Sequence, residues 1–389
     1  MKSLEEQIEK IKKIIKEEKI KNIFLIFVDF SGRILTKMVG ASELIRNTHV
    51  SWFDGISLNG TLLNDFEGNK ESSEWLVLLP DPYSFRILPF LKEEYQKAGI
   101  IFCDIKNHPL DTRGTLKKAV EEFLDLGMTP MFGTQSIYAI LNANQNQGFY
   151  QTFATNQNTM FHNNVVNNLL EAGIEIEYYM PYGKKHQRID LVPDVASIAA
   201  DKLFTAKWFI QNLAILEQKE ISFENIDQPF VSSCPVHMSL WKGKHEKNLF
   251  FEEEDNYELS KTGKKFIQGI LQHQTFIQDM VKATSNYPVM PYANRYSVHR
   301  DNSIVQVPLY FKEKQKRDRI GWSKRCIYNG LNADVNYYLL FSCLLYAGLY
   351  GVSSKEDQVK KLSLSESQEY FTKKLGKEIV EKGMKEFGK

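Results

Sequence analysis

Two rhythms of apolar residues alternate along this chain without a fixed period. Leu4, Ile8, Ile11 and Ile15 recur on one helical face, and Ser3 with Glu6 forms a capping box at its start. Ile23 to Val28 is a continuous apolar run, ended by Asp29 and Ser31-Gly32, and reads as a buried strand. Trp75 to Leu79, stopped by Pro80-Asp81-Pro82, is a second strand, with Arg86 to Phe90 and Ile100 to Asp104 as further ones. A helix is predicted from Thr115 to Leu126, with Gly127 closing it. Beyond it, helices are predicted over 160–172, 196–216, 260–284 and 334–349, and strands over 131–140, 174–180, 230–239 and 302–310. This irregular mixture predicts an α+β fold rather than a doubly wound sheet. Residues 1–104 read as a small helix-plus-sheet domain and 105–389 as a large one, with no internal repeat.

Composition narrows the function classes. Hydrophobic residues make up 43% of the 389 and charged residues 25%, a globular balance with enough chain for a substantial core. A net charge of +1 gives no electrostatic case for nucleic acid or an anionic membrane. The basic run Lys312 to Arg319 is interrupted by Glu313 and Asp318 and reads as a solvated loop. No apolar stretch is long enough to span a bilayer, and Met1 to Glu6 does not read as a signal peptide. Cys103, Cys234, Cys326 and Cys343 show no C-x-x-C spacing, so a reduced, cytoplasmic protein is expected.

The sharpest feature is Cys234-Pro235-Val236-His237-Met238-Ser239-Leu240-Trp241. It resembles a strand of the glutamine synthetase family that reads roughly Met-His-Val-His-Gln-Ser-Leu-Trp. The likeness continues in order through the chain. Phe27 to Arg33 with Ala41 to Leu44, the Phe53-Asp54-Gly55-Ile56-Ser57 loop, Pro80 to Phe90 (family Pro-Asp-Pro-Ser-Thr-Phe-Arg), Asp111 to Gly114, Ile189-Asp190-Leu191 and Asn336 to Leu339 all carry it. The resemblance implies a β-grasp-like N-terminal domain, a large α+β catalytic-type domain, and a ring of subunits with active sites between neighbours.

The departures fall on the chemistry. The family holds two or three Mg²⁺ or Mn²⁺ ions, which bridge the ATP phosphates during phosphoryl transfer to glutamate. Its Gly-Pro-Glu-Leu-Glu strand is Gly133-Thr134-Gln135-Ser136-Ile137 here, so Gln135 and Ile137 stand where two carboxylates would be. Pro181 and Arg188 take two more glutamate positions, Pro235 takes the histidine, and the last ligand falls near Ile327. The family's phosphate-handling arginine aligns with Asp301, its flap glutamate with Asn294, and its glutamate-holding loop with Phe230-Val231-Ser232-Ser233. Asp54 matches the ammonium-site aspartate, while His237 and Ser239 are the residual nucleotide-side positions.

The resemblance with its losses implies a pseudoenzyme lacking metal-dependent ligase chemistry, with no cofactor. It would be a ring-like homo-oligomer acting as a scaffold, or as partner of an active homologue or another enzyme. The alternative is a carbon–nitrogen ligase or transferase with a rebuilt pocket, using ATP and Mg or Mn on an amino-acid-like substrate. Asp54 and Cys234 are the catalytic candidates. Cys234 adjoins the lost ligand position and, with Cys326 and His186, could face the old pocket, although buried inert cysteine is the commoner case. Tyr179, Tyr182, Phe230, Tyr292 and Tyr296 could fill or reshape the vacated cavity, and Tyr337, Tyr338, Phe341 and Tyr346 read as core or interface.

Overall fold

The opening helix α1 (Leu4–Glu17) begins with the reciprocal Ser3–Glu6 hydrogen bonds of a capping box and buries Ile8, Ile11 and Ile15. The computed structural model that shows this describes residues 3–60, 75–91, 93, 96–142, 156–182, 185–223, 234–243, 246–284, 293–297, 303–308, 323–329, 334–355 and 362–387. Next come β1 (Asn22–Val28), β2 (Ile34–Gly40), the short helix α2 (Ala41–Arg46), β3 (Ile56–Asn59), β4 (Trp75–Pro80), β5 (Arg86–Ile87) and β6 (Ala98–Ile105). They form a first sheet ordered β2-β1-β6-β4-β3, with β1 and β6 parallel and β5 on β6. The unbroken apolar run of β1 follows from its burial on both faces. Ile23, Leu25 and Phe27 share a small core with α1, while Ile26 and Val28 join the main core.

The second unit runs through α3 (Thr112–Asp125), β7 (Met128–Ile140), α4 (Gln157–Glu171), β8 (Ile176–Pro181), β9 (His186–Leu191), β10 (Asp194–Val195) and α5 (Ala196–Leu216). It continues with β11 (Ile221–Ser222), β12 (Val236–Lys242), β13 (Lys247–Asn248), α6 (Lys261–Gln272), α7 (Gln274–Thr284), β14 (Ala293–Ser297), β15 (Ser303–Gln306) and β16 (Cys326–Tyr328). It closes with α8 (Tyr337–Ser353), α9 (Leu364–Leu375) and α10 (Lys377–Phe387). The sheet order is β14-β15-β16-β12-β7-β9-β8. Helices α5 and α8 lie in the core, which explains why their apolar residues do not keep to one stripe. Tyr337, Tyr338, Phe341 and Tyr346 are all buried within it. The fold is α+β.

Several boundaries differ from the sequence reading for identifiable reasons. The helix predicted over 260–284 is two helices, broken at His273. That imidazole is buried among Tyr350, Tyr370 and Phe371, with Nδ1 and Ser367 Oγ hydrogen-bonded at 3.0 Å. Helix α8 starts at Tyr337 because Asn336 caps it, accepting from Leu339 N at 3.1 Å. The Asn336 amide also donates to Asp29 O and Phe30 O, tying the helix start to the first sheet. Helices α6 and α8 touch backbone to backbone: a Cβ on Gly269 would sit 2.0 Å from Ala347 O. Strand β4 pairs with β3 over Trp75–Leu78 and with β6 over Leu78–Pro80. Residues 230–233 of the predicted 230–239 strand, and the 312–319 basic run, lie outside the described residues. No helix among the described residues is long and apolar enough to cross a membrane.

Candidate functional site

Register places most of the substituted positions on one face of the second sheet. Gln135 pairs with Asp190 and Ile137 with Arg188 across β7 and β9. His237 on β12 lies opposite Gly133 of β7 and Ile327 of β16. Alternation along each strand then gathers Gln135, Ile137, Arg188, Asp190, His237 and Ile327 on that face. Pro181 ends β8 opposite Gln187, and Pro235 immediately precedes β12.

A linked polar cluster occupies this face. Arg188 grips Asp190 with both arms of its fork, Nε to Oδ1 at 2.6 Å and an outer nitrogen to Oδ2 at 2.5 Å. Its guanidinium lies 5.4 Å from the centre of the Tyr182 ring. Gln135 Nε2 donates to Asp190 Oδ2 at 3.4 Å and stands 3.4 Å from His237 Nε2. Arg325 donates Nε–H to His237 Nδ1 at 2.8 Å, which puts the hydrogen of a neutral imidazole on Nε2. Burial, then the neighbouring charges of Arg325 and Arg188, pulls the His237 pKa down to about 3. The face therefore presents two guanidiniums, one carboxylate and one neutral imidazole.

These donors do not make a hard-cation site. Mg²⁺ and Mn²⁺ require several oxygen ligands. Asp190 is the carboxylate of this cluster, and both its oxygens take Arg188. The Nδ1 lone pair of His237 takes Arg325, and two guanidiniums repel a dication. Among the described residues no three His, Cys, Asp or Glu are grouped to hold a metal.

The two catalytic candidates lie elsewhere. Asp54 closes a short π-helical turn (Val50–Asp54) of the first unit, its side chain 59% exposed and 3.5 Å from His49 Nδ1. Its backbone carbonyl accepts from Lys106 Nζ at 3.1 Å. Cys234 does not lie on the face of Arg188 and His237, correcting the expectation that it could join Cys326 and His186 there. It is fully buried in the main core with Val236, Met238 and Cys326, on the side of the sheet facing α8. Burial pushes its thiol up to about 12, against a hydrogen bond with Tyr337, which keeps it protonated at neutral pH. Ser239 Oγ accepts from Trp241 Nε1 at 2.9 Å.

Tyr179 is 49% exposed on β8 and does not fill the face, whereas Tyr182 lies against Arg188. Phe230, Tyr292 and Asp301 lie outside the described residues; Asn294 and Tyr296 fall in β14. Sequence reasoning missed Arg325 and gave Asp190 no role. Alternation was the available signal, since Arg325 stands two residues before Ile327 and Asp190 two after Arg188.

With this geometry in place, likeness to known proteins is informative. Residues 109–374 match the family model for the glutamine synthetase catalytic domain. The glutamine synthetase of Thermotoga maritima is 27% identical over 376 residues, covering 90% of this chain and 81% of the relative. That of Pyrococcus furiosus is 26% identical over 390 residues, covering 94% and 83%. A solved structure described as a novel glutamine synthase homolog superposes with a TM-score of 0.76 at 16% identity, over 94% of this chain and 93% of that one, a likeness of fold. By the family model, which spans more than half of it, the chain belongs to the glutamine synthetase family.

Proposed function

We propose that this protein does not carry out the metal-dependent, ATP-driven ligation of ammonia to glutamate, and that it acts through assembly, as an oligomeric scaffold or as the partner of an active homologue or another enzyme. The observation that carries this reading is the Arg188–Asp190 pair on the face where the resemblance puts metal ligands. A carboxylate locked in a bidentate guanidinium is not available to a dication, and the five other positions carry Gln135, Ile137, Pro181, Pro235 and Ile327. Losing one oxyanion-type contact raises a barrier by ~3 kcal/mol. Losing every metal position together removes the means of neutralising the transferring phosphoryl group. A cytoplasmic location goes with this reading, in keeping with Cys103, Cys234, Cys326 and Cys343 all being free and buried.

The test is direct. Homogeneous protein with glutamate, ammonia, ATP and Mg²⁺ or Mn²⁺ is expected to form no glutamine, and calorimetry with Mn²⁺ to show no binding. Glutamine formation abolished by Asp54→Asn would overturn the reading. A second reading is favoured by one observation: the face holds an ordered polar cluster rather than apolar filler. An amide-forming ligase or transferase on an amino-acid-like substrate would use such a cluster. ATP consumption that depends on an added acid and amine other than glutamate and ammonia would establish it.

A further inference from the structure

A cavity of about 400 Å³ opens where the first sheet meets α3 and α5, and no residue of the Arg188–His237 cluster lines it. Most of the charges around it are paired. Arg113 holds Asp81 and Asp201 at 2.8 Å, Lys117 stands 3.6 Å from Asp81, and Lys202 closes on Asp194 at 2.7 Å. Two of the charges around it, among the described residues, make no ion pair: Arg86, which is partly buried, and Glu175, which is exposed at the rim. Arg86, on β5, makes one side-chain hydrogen bond, to the adjacent Phe85 carbonyl at 2.8 Å, and no ion pair. The guanidinium carries five donors, so most of its capacity is unused. Burial draws its pKa below the ordinary range, against the pull of Asp201 and Asp194. Glu175, on the turn from α4 into β8, has no side-chain hydrogen bond or ion pair. The two come from the two units that meet at the cavity, and Phe102, Ile174 and Ile198 supply apolar wall beside them.

We propose that this cavity binds a small zwitterion, an α-amino acid with an apolar side chain, its carboxylate on Arg86 and its ammonium at Glu175. A planar guanidinium matches a carboxylate with two parallel hydrogen bonds, and a carboxylate is the natural partner of an ammonium. The volume falls in the range of small-molecule sites, about 300–1,000 Å³. A ligand held this way bridges β5 of the first unit and the α4–β8 turn of the second. Binding only to the folded state, it stabilises the junction between them.

Saturation-transfer NMR on the full chain tests this with L-valine, 3-methylbutanoate (valine without its ammonium) and isobutylamine (valine without its carboxylate). L-valine is expected to bind best, 3-methylbutanoate more weakly and isobutylamine least. Arg86→Met should weaken L-valine by roughly tenfold or more. Arg86→Lys should keep part of the affinity, which a misfolded variant would not. Glu175→Gln should weaken L-valine while leaving 3-methylbutanoate unchanged. No L-valine signal from the native protein overturns the proposal, as does a signal unchanged by Arg86→Met. A 3-methylbutanoate affinity equal to that of L-valine, or isobutylamine binding equal to either, also overturns it.

Discussion

Replacing Arg113 with Met should destabilise the fold by about 3–5 kcal/mol, the cost of breaking a buried ion pair by removing one partner. Arg113, on α3, has a side chain only 7% exposed. It reaches Asp104 at 2.6 Å and Asp81 at 2.8 Å in the first unit, and Asp201 on α5 through Nε at 3.0 Å and an outer nitrogen at 2.8 Å. Met keeps much of the aliphatic stem, so the loss is mainly of charge. Lys117, 2.7 Å from Asp104, compensates one carboxylate, and the Tyr338 hydroxyl still donates to Asp201 at 2.6 Å. Asp81 and Asp201 nevertheless lose their guanidinium. Against a total stability of about 5–15 kcal/mol this is a large fraction. Urea unfolding followed by circular dichroism at neutral pH measures it, and a change under about 1 kcal/mol would refute the reasoning. The pH dependence gives a second reading. Burial pushes the Asp81 carboxyl up, but Arg113 and Lys117 outweigh it and hold the pKa below its ordinary value. A carboxylate depressed in the folded state contributes stability above the unfolded pKa and loses it as pH falls through the folded one. The gap between native and Arg113→Met protein should therefore narrow on acidification.

Three further outcomes are expected. Burial, with Asp104 close by, raises the Asp111 carboxyl to about 7, so the folded chain keeps a proton that the unfolded chain releases at lower pH. Stability from this group falls as pH climbs from the ordinary carboxylate range to about 7; Asp111→Asn, which keeps a cap on α3, should flatten that fall in urea midpoints, and an unchanged slope would contradict it. The His237 ring should not titrate between about pH 4 and pH 8 by histidine NMR, whereas Arg325→Met, which removes the nearest cation, should raise its pKa; a His237 midpoint near its ordinary value in the native protein would break the site description. Light scattering at micromolar concentration should give a multiple of the 45.1 kDa chain, and a stable monomer of that mass would remove assembly as the reason the fold persists.

Elements with a local cause were readable from the chain. The Ser3–Glu6 capping box set the start of α1, and α5 runs over the predicted 196–216. Breaks caused by distant residues were not. Nothing near His273 signals that its ring will be held by Ser367 and flanked by Tyr370 and Phe371 on α9, so 260–284 read as one helix. The start of α8 depends on an Asn336 amide that also bonds the carbonyls of Asp29 and Phe30, 307 and 306 residues away. The capping box of α9, Ser363 with Glu366, was legible and was not singled out.

For the site, the sequence was informative about what had gone and nearly silent about what replaced it. Loss is visible position by position, because Pro235 offers no lone pair from its side chain in any environment. Replacement is a property of pairs, and pairs are set by register. Asp190 stands two residues from Arg188 in the sequence, but only the strand β9 puts both on one face, where the two salt-bridge. Arg325 gained meaning only when β16 lay beside β12 and brought its Nε to His237. Cys234 illustrates the converse error. Its closeness in sequence to Pro235 suggests reactivity, but the residue of that strand that joins the polar cluster is His237, three positions on, and the thiol lies in the core against Tyr337. Gln135, Ile137, Arg188, His237 and Ile327 share one face by register, and the charge that this face carries is mainly guanidinium. On this face both guanidiniums are already engaged, Arg188 by Asp190 and Arg325 by His237, so the charge that would repel a dication is held in place by the same pairs that occupy the carboxylate and the imidazole lone pair.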